Sequence, residues 1–350
     1  MYETLIKFEY KNNNLDKKKD DNIIDYLDMT NLYLKELKKF LRNIQNKDIN
    51  DKLNINNNIN IFINKYKGNF VEFWTKHLKK SNLLKAMYKY SCKMTTMILN
   101  SFMSKGPLIF FSNYVKMEGL EIIKIYLNFF GFNSYQSGKG KDYFRYTEYH
   151  GSIDLKEREK NRNIFNKEKN IDEKLIKIIM ISPAGSEGIS LYNVRQVHIL
   201  EPYWNEVRIE QLIARAVRQC SHKDLPMKER LVDIYRYYAI RKNEKPTADI
   251  DIRNLAKRKK NLTDSFLIPI KEVAIDCELN KEHNKDDGEE YTCFKFNLPS
   301  LFDKTIGPAY KKDTYYDRQI DNGLNSITSK KVQIKVKEIF AVKKLNDKQF

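Results

Sequence analysis

Few residues in this sequence could staple the chain covalently or hold a metal. Four cysteines, Cys92, Cys220, Cys277 and Cys293, occur among 350 residues, and no two form a C-x-x-C pair. The five histidines do not cluster with them. This argues against a zinc site and a disulfide framework, and fits reduced thiols in an intracellular protein. Long apolar runs are also missing. Runs such as "PLIFFS" at 107–112 fall far short of the ~20 residues that span a bilayer. The opening "MYETLIKFEY" is no signal peptide. The expectation is a soluble, intracellular chain with no membrane partner.

What the chain has in excess is positive charge, formally +18, with 31% charged and 41% hydrophobic residues. The hydrophobic share suffices for a sizeable core, and the length suits two domains. A basic excess favours a polyanionic partner, because lysine and arginine bind phosphate by releasing counterions. An abundance of lysine and asparagine gives the same excess with no partner, so charge alone supports that reading weakly.

Residues 11 to 64 alternate between polar blocks and weak helical patches. "KNNNLDKKKDDN" and "NKDINDKLNINNNINIF" are low-complexity, and the first reads as a loop or disordered segment. Between them, "IIDYLDMTNLYLKELKKFLRNI" has helical apolar spacing, and a second helical region runs from Phe70 to Met103. After Gly106 the texture changes. "PLIFFS", "KIIMIS" (177–182) and "VHILEP" (197–202) read as buried strands, and "RLVDIYRYYAI" (230–240) alternates as a strand does. "MEGLEIIKIYLNFFGF" reads as a helix closing at Gly131, which suits a left-handed cap, and 154–168 as a charged helix. Short apolar strands separated by helices predict a parallel sheet with helices on both faces. Ligands of such sheets bind at the carboxyl ends of the strands. Beyond "NEKPTADIDIRNLAKRKKNLTDSFL" the pattern is a helix, a basic run and mixed strands.

Residues 208–222, "RIEQLIARAVRQCSH", carry Ile209, Leu212, Ile213, Ala216, Val217 and Cys220 at helical steps. Arg208, Gln211, Arg215, Arg218 and His222 recur on the opposite face, with no acid among those five. Spacing alone divides evenly between a solvated face and a working one. About 25 residues upstream, the loop "SPAGSEGISL" follows a strand; Gly185 and Gly188 there let a backbone approach a phosphate or ribose closely. Arginine suits phosphate because its planar fork donates in pairs and keeps its charge. Tyr203 and Trp204 could stack on bases, though core packing at the helix start is the commoner use of such a tryptophan. The Lys257–Lys260 run "KRKK" could touch nucleic acid or act as a localisation signal, but such runs are more often a solvated helix end. Nothing nearby in sequence pairs with His150.

The segment "ISPAGSEGISLYNVRQVHILEPYWNEVRIEQLIARAVRQCSH" resembles motifs V and VI of superfamily 2 helicases, with Gln-x-x-x-Arg-x-x-Arg as its specific part. "GPLIFFSNYVKMEGLEIIKIYLNFFGF" resembles motif IV, and "YHGSIDLKEREKNRNIFN" the His-Gly segment after it. "FLIPIKEVAIDCELN" and "YYDRQIDNGLNSI…VKEIFAV" are similar to an extension in helicases of nucleocytoplasmic large DNA viruses, of the poxvirus early transcription factor and nucleoside triphosphatase type. The resemblance runs from about residue 83 to 340, in four ordered segments.

That resemblance implies an α/β fold: a RecA-like doubly wound parallel sheet, with a helical N-terminal region and a mixed α+β C-terminal extension. It divides the chain into 1–80, an inter-lobe or remnant region, 81–245, the helicase C-terminal domain, and 246–350, the extension. It makes Arg218 the arginine finger reaching the γ-phosphate of ATP, a group that supplies on the order of a thousandfold or more in rate. Arg215 becomes a second phosphate-contacting or lobe-coupling arginine, and Gln211 a link between nucleotide and nucleic acid. Gly188 and Glu187 would lie near the nucleotide. Ser182, Ala184 and Gly185, with Ser112 and Asn113, would face the nucleic-acid backbone. For Glu187 an ordinary surface acid, and for Ser112 a helix N-cap, are equal alternatives.

One departure matters. A complete helicase also has a first RecA-like lobe with a G-x-x-x-x-G-K-[ST] phosphate loop and a D-E-x-x pair for magnesium, and neither occurs in these 350 residues. "SGKGKDYF" at 137–144 lacks the spacing and the hydroxyl residue. The expectation is a second lobe sharing ATP and Mg2+ with a first lobe in the same or a separate chain, whether as a split gene, a truncated gene or a fragment. Its partners would be DNA or RNA, with RNA polymerase further afield. A viral origin would place it in host cytoplasm or virion. The competing readings are a non-enzymatic binding module and a degenerate product without a role.

Overall fold

The computed structural model describes residues 26–47, 51–77, 81–116, 119–138, 144–183, 188–241, 246–279, 293 and 333–342. The polar block at 11–22 lies outside them. Helices α1 (Tyr26–Lys47) and α2 (Asp51–Asn64) come first. From Asp51 the asparagine-rich second block is helical, with three of its apolar residues on one side. Ile55, Ile59 and Phe62, at i, i+4 and i+7, are all buried. Phe62 meets Phe73 edge-to-face at 5.2 Å.

The helical region expected from Phe70 to Met103 is three helices: α3 (Phe70–Lys76), α4 (Asn82–Tyr90) and α5 (Cys92–Ser101). Serine makes the breaks. Ser81 Oγ accepts from Leu84 N at 3.3 Å and starts α4. Ser91 ends α4 and starts α5, accepting from Met94 N at 3.4 Å. Such side chains satisfy amide donors that a helix start leaves orphaned.

The sheet follows as expected. Strands β1 (Leu108–Phe111), β2 (Asn133–Ser134), β3 (Arg145–Tyr149), β4 (Ile178–Ile181), β5 (Gln196–Ile199), β6 (Leu231–Ile240) and β7 (Gln333–Val342) lie in the order β2-β3-β4-β1-β5-β6-β7. The pairings from β2 through β6 are all parallel. Every residue of β1, β4 and β5 is buried, which is why those strands read as unbroken apolar runs. Between strands come α6 (Leu120–Phe129), closed by Gly131 at φ +90°, then α7 (Leu155–Phe165) and α8 (Glu206–Ala216). Helices α9 (Ala248–Val273) and α10 (Ile275–Leu279) follow β6. This is the RecA-like α/β arrangement.

By contact the chain forms two units: Met1–Pro202, Gln211–Asp251 and Ile334–Phe350 in one, Tyr203–Glu210 and Ile252–Gln333 in the other. The core of the first carries a polar knot. Tyr237 OH accepts from Asn100 Nδ2 at 3.1 Å and meets His198 Nδ1 at 2.9 Å, all three buried. His198 also stacks on Tyr235, centroids 4.7 Å apart.

The covalent expectation fails at one place. Cys277 and Cys293 are joined by a disulfide, their Cα atoms 5.5 Å apart; only Cys92 and Cys220 are free thiols. A separation of 16 residues has no local spacing signature, so the sequence rule overlooked it.

Replacing Tyr237 with phenylalanine strands the Asn100 amide and a His198 nitrogen in the core. Tyr237→Phe should lower unfolding free energy by about 1–3 kcal/mol in urea denaturation, with an unchanged m-value.

Candidate functional site

Chain order and sheet order together place the site. From β1 the chain moves outward, returns through β4 against one side of β1, then crosses to β5 on the other. Strand order reverses there, and the crevice at such a point is where open α/β sheets bind ligands. Register levels the three carboxyl ends, since Phe111 pairs with both Ile181 and Ile199. The residues that emerge are Ser112, Ser182 and Leu200–Glu201, and Ser112 N donates to Ile181 O at 3.2 Å.

Glu201, which sequence reasoning missed, ties this edge together. Its Oε1 accepts from Ser112 Oγ at 2.9 Å and its Oε2 from Asn113 N at 3.0 Å. Ser112 is fully buried, and its hydroxyl also accepts from Tyr114 N at 3.2 Å. Ser112 thus organises the loop after β1 rather than capping α6, whose first residue is Leu120. Burial pushes the Glu201 carboxyl up to about 7, against the opposing pull of Lys93 and its two donors. The available signal was an acid directly after a buried strand, at the ligand end of a parallel sheet. Ser182 is also buried. Ala184, Gly185 and Glu187 lie outside the described residues.

The second half of the site is α8 and the turn beyond it. The helix ends at Ala216, so Arg218 stands on a turn and not on the expected helix face. Two further placements reverse the spacing argument. His222, expected on the polar face, is buried, and Cys220, expected on the apolar face, is exposed at φ +62°. The turn is stapled to the segment after Gly188, itself at φ +75°. Leu191 N donates to Arg215 O at 3.4 Å, Asn193 N to Ser221 O at 2.9 Å, and His222 Nε2 lies 2.7 Å from Val194 O. The Val194 carbonyl and the Ser221 hydroxyl, each 2.7 Å from one of its ring nitrogens, give His222 partners inside, and burial lowers its pKa.

This staple fixes Arg218. Its Nη1 donates to Ser190 Oγ at 2.7 Å, two residues past Gly188, and its side chain is exposed. Gln211 is exposed and Arg215 half-buried, one helical turn apart on α8. Neither arginine has an acidic partner among the described residues. A guanidinium held by a neutral hydroxyl keeps its charge and most of its donors for an incoming anion. Among those residues, no group of three or more His, Cys, Asp and Glu could hold a metal ion. No described helix is long and apolar enough to cross a membrane.

Two other expectations change. His150 does have a partner, Glu148 Oε2 at 3.1 Å, because residues two apart in an extended segment share a face. Trp204 is not core: it is 49% exposed.

Stability should report on the Glu201 carboxyl. Glu201 titrates near 7 in the folded chain against about 4.5 when unfolded, so its protonated form favours the fold. That contribution is complete below pH 4.5 and disappears as pH rises through 7. Compared with Glu201→Gln, the natural chain should lose about 2–3 kcal/mol between those limits, read as the pH dependence of the difference between their urea midpoints.

Residues 88–220 match the helicase conserved C-terminal domain. The protein R350 of Acanthamoeba polyphaga mimivirus, provisionally named an ATP-dependent RNA helicase, is 41% identical over 324 residues, 90% of this chain and 39% of that one. Nucleoside triphosphatase I of Heliothis armigera entomopoxvirus is 30% identical over 79% of this chain and 39% of its own length. The termination factor NPH-I homolog of African swine fever virus is 30% identical over 55% of this chain and 33% of its own. The chain thus spans about two fifths or less of these relatives. Residues 88–220 are thus a match to the helicase conserved C-terminal domain, and the chain as a whole is similar to parts of viral helicases and nucleoside triphosphatases.

Proposed function

We propose that this chain is the C-terminal lobe of an ATP-dependent helicase or translocase. A first RecA-like lobe, in the same or another chain, supplies the phosphate loop and the acidic pair that holds Mg2+. The observation that carries the reading is Arg218, exposed and fixed beside Ser190 with no acidic partner among the described residues. In that setting Arg218 stabilises charge on the transferring γ-phosphoryl group, and Arg215 contacts phosphate or couples the lobes. Gln211 relays between nucleotide and strand, with Gly188 and Glu187 beside the nucleotide.

The nucleic-acid track follows the sheet edge. Asn113, Ser182, Ala184 and Gly185 face the strand's backbone. Ser112, with its hydroxyl committed to Glu201, holds the Asn113 loop in place instead of touching a phosphate. The African swine fever virus relative is named a termination factor, and this supports a role in viral transcription beside RNA polymerase. The absence of a phosphate loop from these residues leaves the non-enzymatic binding module as the second reading.

Turnover separates the two. This chain alone should show no appreciable Mg2+-dependent ATP hydrolysis. Combined with the N-terminal part of the mimivirus relative it should hydrolyse ATP in a nucleic-acid-stimulated way. Arg218→Ala should then lower kcat about a thousandfold, with KM little changed, and Arg218→Lys should not restore it. Robust turnover by the chain alone, or indifference of the combined system to Arg218→Ala, defeats the motor reading.

A further inference from the structure

Two features set aside in the sequence, the Tyr203–Trp204 pair and the basic run at 257–260, come together in the second unit. Trp204 is 49% exposed, yet its ring has close neighbours. Lys259 Nζ from α9 sits 4.3 Å from the ring centroid, and the Tyr203 ring lies 5.5 Å away at 38°. Arg208 covers Tyr203, its guanidinium carbon 4.9 Å from that ring's centroid, and donates from Nη1 to the Tyr203 hydroxyl at 2.8 Å. The basic run is no helix end: it occupies the middle of α9, and its four side chains are exposed.

Local acids limit the charge without cancelling it. Lys260 is paired with Glu210, and Glu206 and Asp264 also act on it. Lys257, Arg258 and Lys259 have no acidic partner among the described residues. We propose that Tyr203, Trp204, Arg208 and Lys259 form a stacking platform for single-stranded nucleic acid, with Lys257 beside it on α9.

Each part matches that ligand. An indole offers a base a flat face of any sequence, and such stacking contributes about 1–3 kcal/mol per base. Lys259 takes one face of the indole and puts positive charge within reach of the phosphate of a nucleotide stacked on the other, and Arg208 does the same at Tyr203. Fixing both rings by cations lowers the ordering cost of binding. A duplex hides its base faces inside the helix, so the platform discriminates against it. The choice of nucleic acid over other anions rests on the helicase-lobe reading, but the platform uses none of Gln211, Arg215 and Arg218.

The chain carries two tryptophans, Trp74 and Trp204, so a Trp74→Phe background leaves Trp204 as the only indole. Titrating this chain with oligothymidylate or oligouridylate should quench Trp204 emission saturably, whereas duplex DNA and poly-glutamate should not. Trp204→Ala should weaken single-strand binding about 5- to 150-fold by anisotropy, and Trp204→Phe should retain most of it. Lys259→Gln should flatten the slope of log affinity against log salt by about 0.7. Single strands that bind with no change in Trp204 emission and no loss in Trp204→Ala overturn the platform and leave the motor reading intact. So does a failure of single strands to bind alongside Arg218-dependent turnover in the combined system. Equal quenching by poly-glutamate also overturns it, because charge alone would then account for the signal. Quenching of Trp204 without Arg218-dependent turnover sustains the platform and removes the motor.

Discussion

The arrangement of the site depends on one constraint: β1 lies between β4 and β5 in parallel, with all three ending at the same level. Phe111, Ile181 and Ile199 share that register. A one-residue slip would lift one loop out of the crevice and turn its strand's side chains over. Each of the three strands is buried along its whole length, so a slip would also carry apolar residues out of the core. Given level ends, a single carboxylate can reach across. Glu201, from the end of β5, binds both a side chain and a backbone amide from the end of β1. The loop that carries Asn113 is thereby fixed by a neighbouring strand and not by its own sequence.

Arg218 is positioned by a second device of the same kind. A residue on a helix inherits its direction from the helix; one beyond the helix end needs something else. Here the turn after α8 is hydrogen-bonded to the segment from Leu191 to Val194 through Arg215, Ser221 and the buried His222. The segment Leu191–Val194 and the turn that carries Arg218 are therefore tied together. The partner given to Arg218 is a hydroxyl. A carboxylate in that place would bind the guanidinium more strongly and compete with any phosphate, so a neutral partner orients the group without consuming its charge.

The sheet was legible in the sequence because buried parallel strands leave short apolar runs, and "LIFF" and "IIMI" are read correctly for that reason. Gly131 was legible because a left-handed cap has few candidates. The errors fall where tertiary contacts override local periodicity. Helical spacing continued through Val217 to His222 since apolar residues kept recurring. A buried histidine and an exposed cysteine break that pattern only through the Val194 and Ser221 bonds. The serine breaks at 81 and 91 were visible as residues but not as caps, because serine also sits inside helices. Glu201 gave no periodic signal at all, and Trp204 was misassigned because type alone favours burial for tryptophan. The Cys277–Cys293 bond joins positions whose separation carries no rule.

Glu201 also shows a conflict between fold and site. The carboxylate is stabilised by Ser112 and the Asn113 amide, yet burial favours its neutral form strongly enough to place its titration near neutrality. An apolar side chain in its place would remove that desolvation penalty but leave the Asn113 amide and the Ser112 hydroxyl without this acceptor. A lysine would supply no acceptor. What the position requires is a compact group with two acceptors, and a carboxyl is the side chain that offers both. Its raised pKa is therefore a consequence of holding the loop at the ligand end of the sheet, where perturbed groups concentrate because geometry there is set by what must be bound rather than by what is most stable.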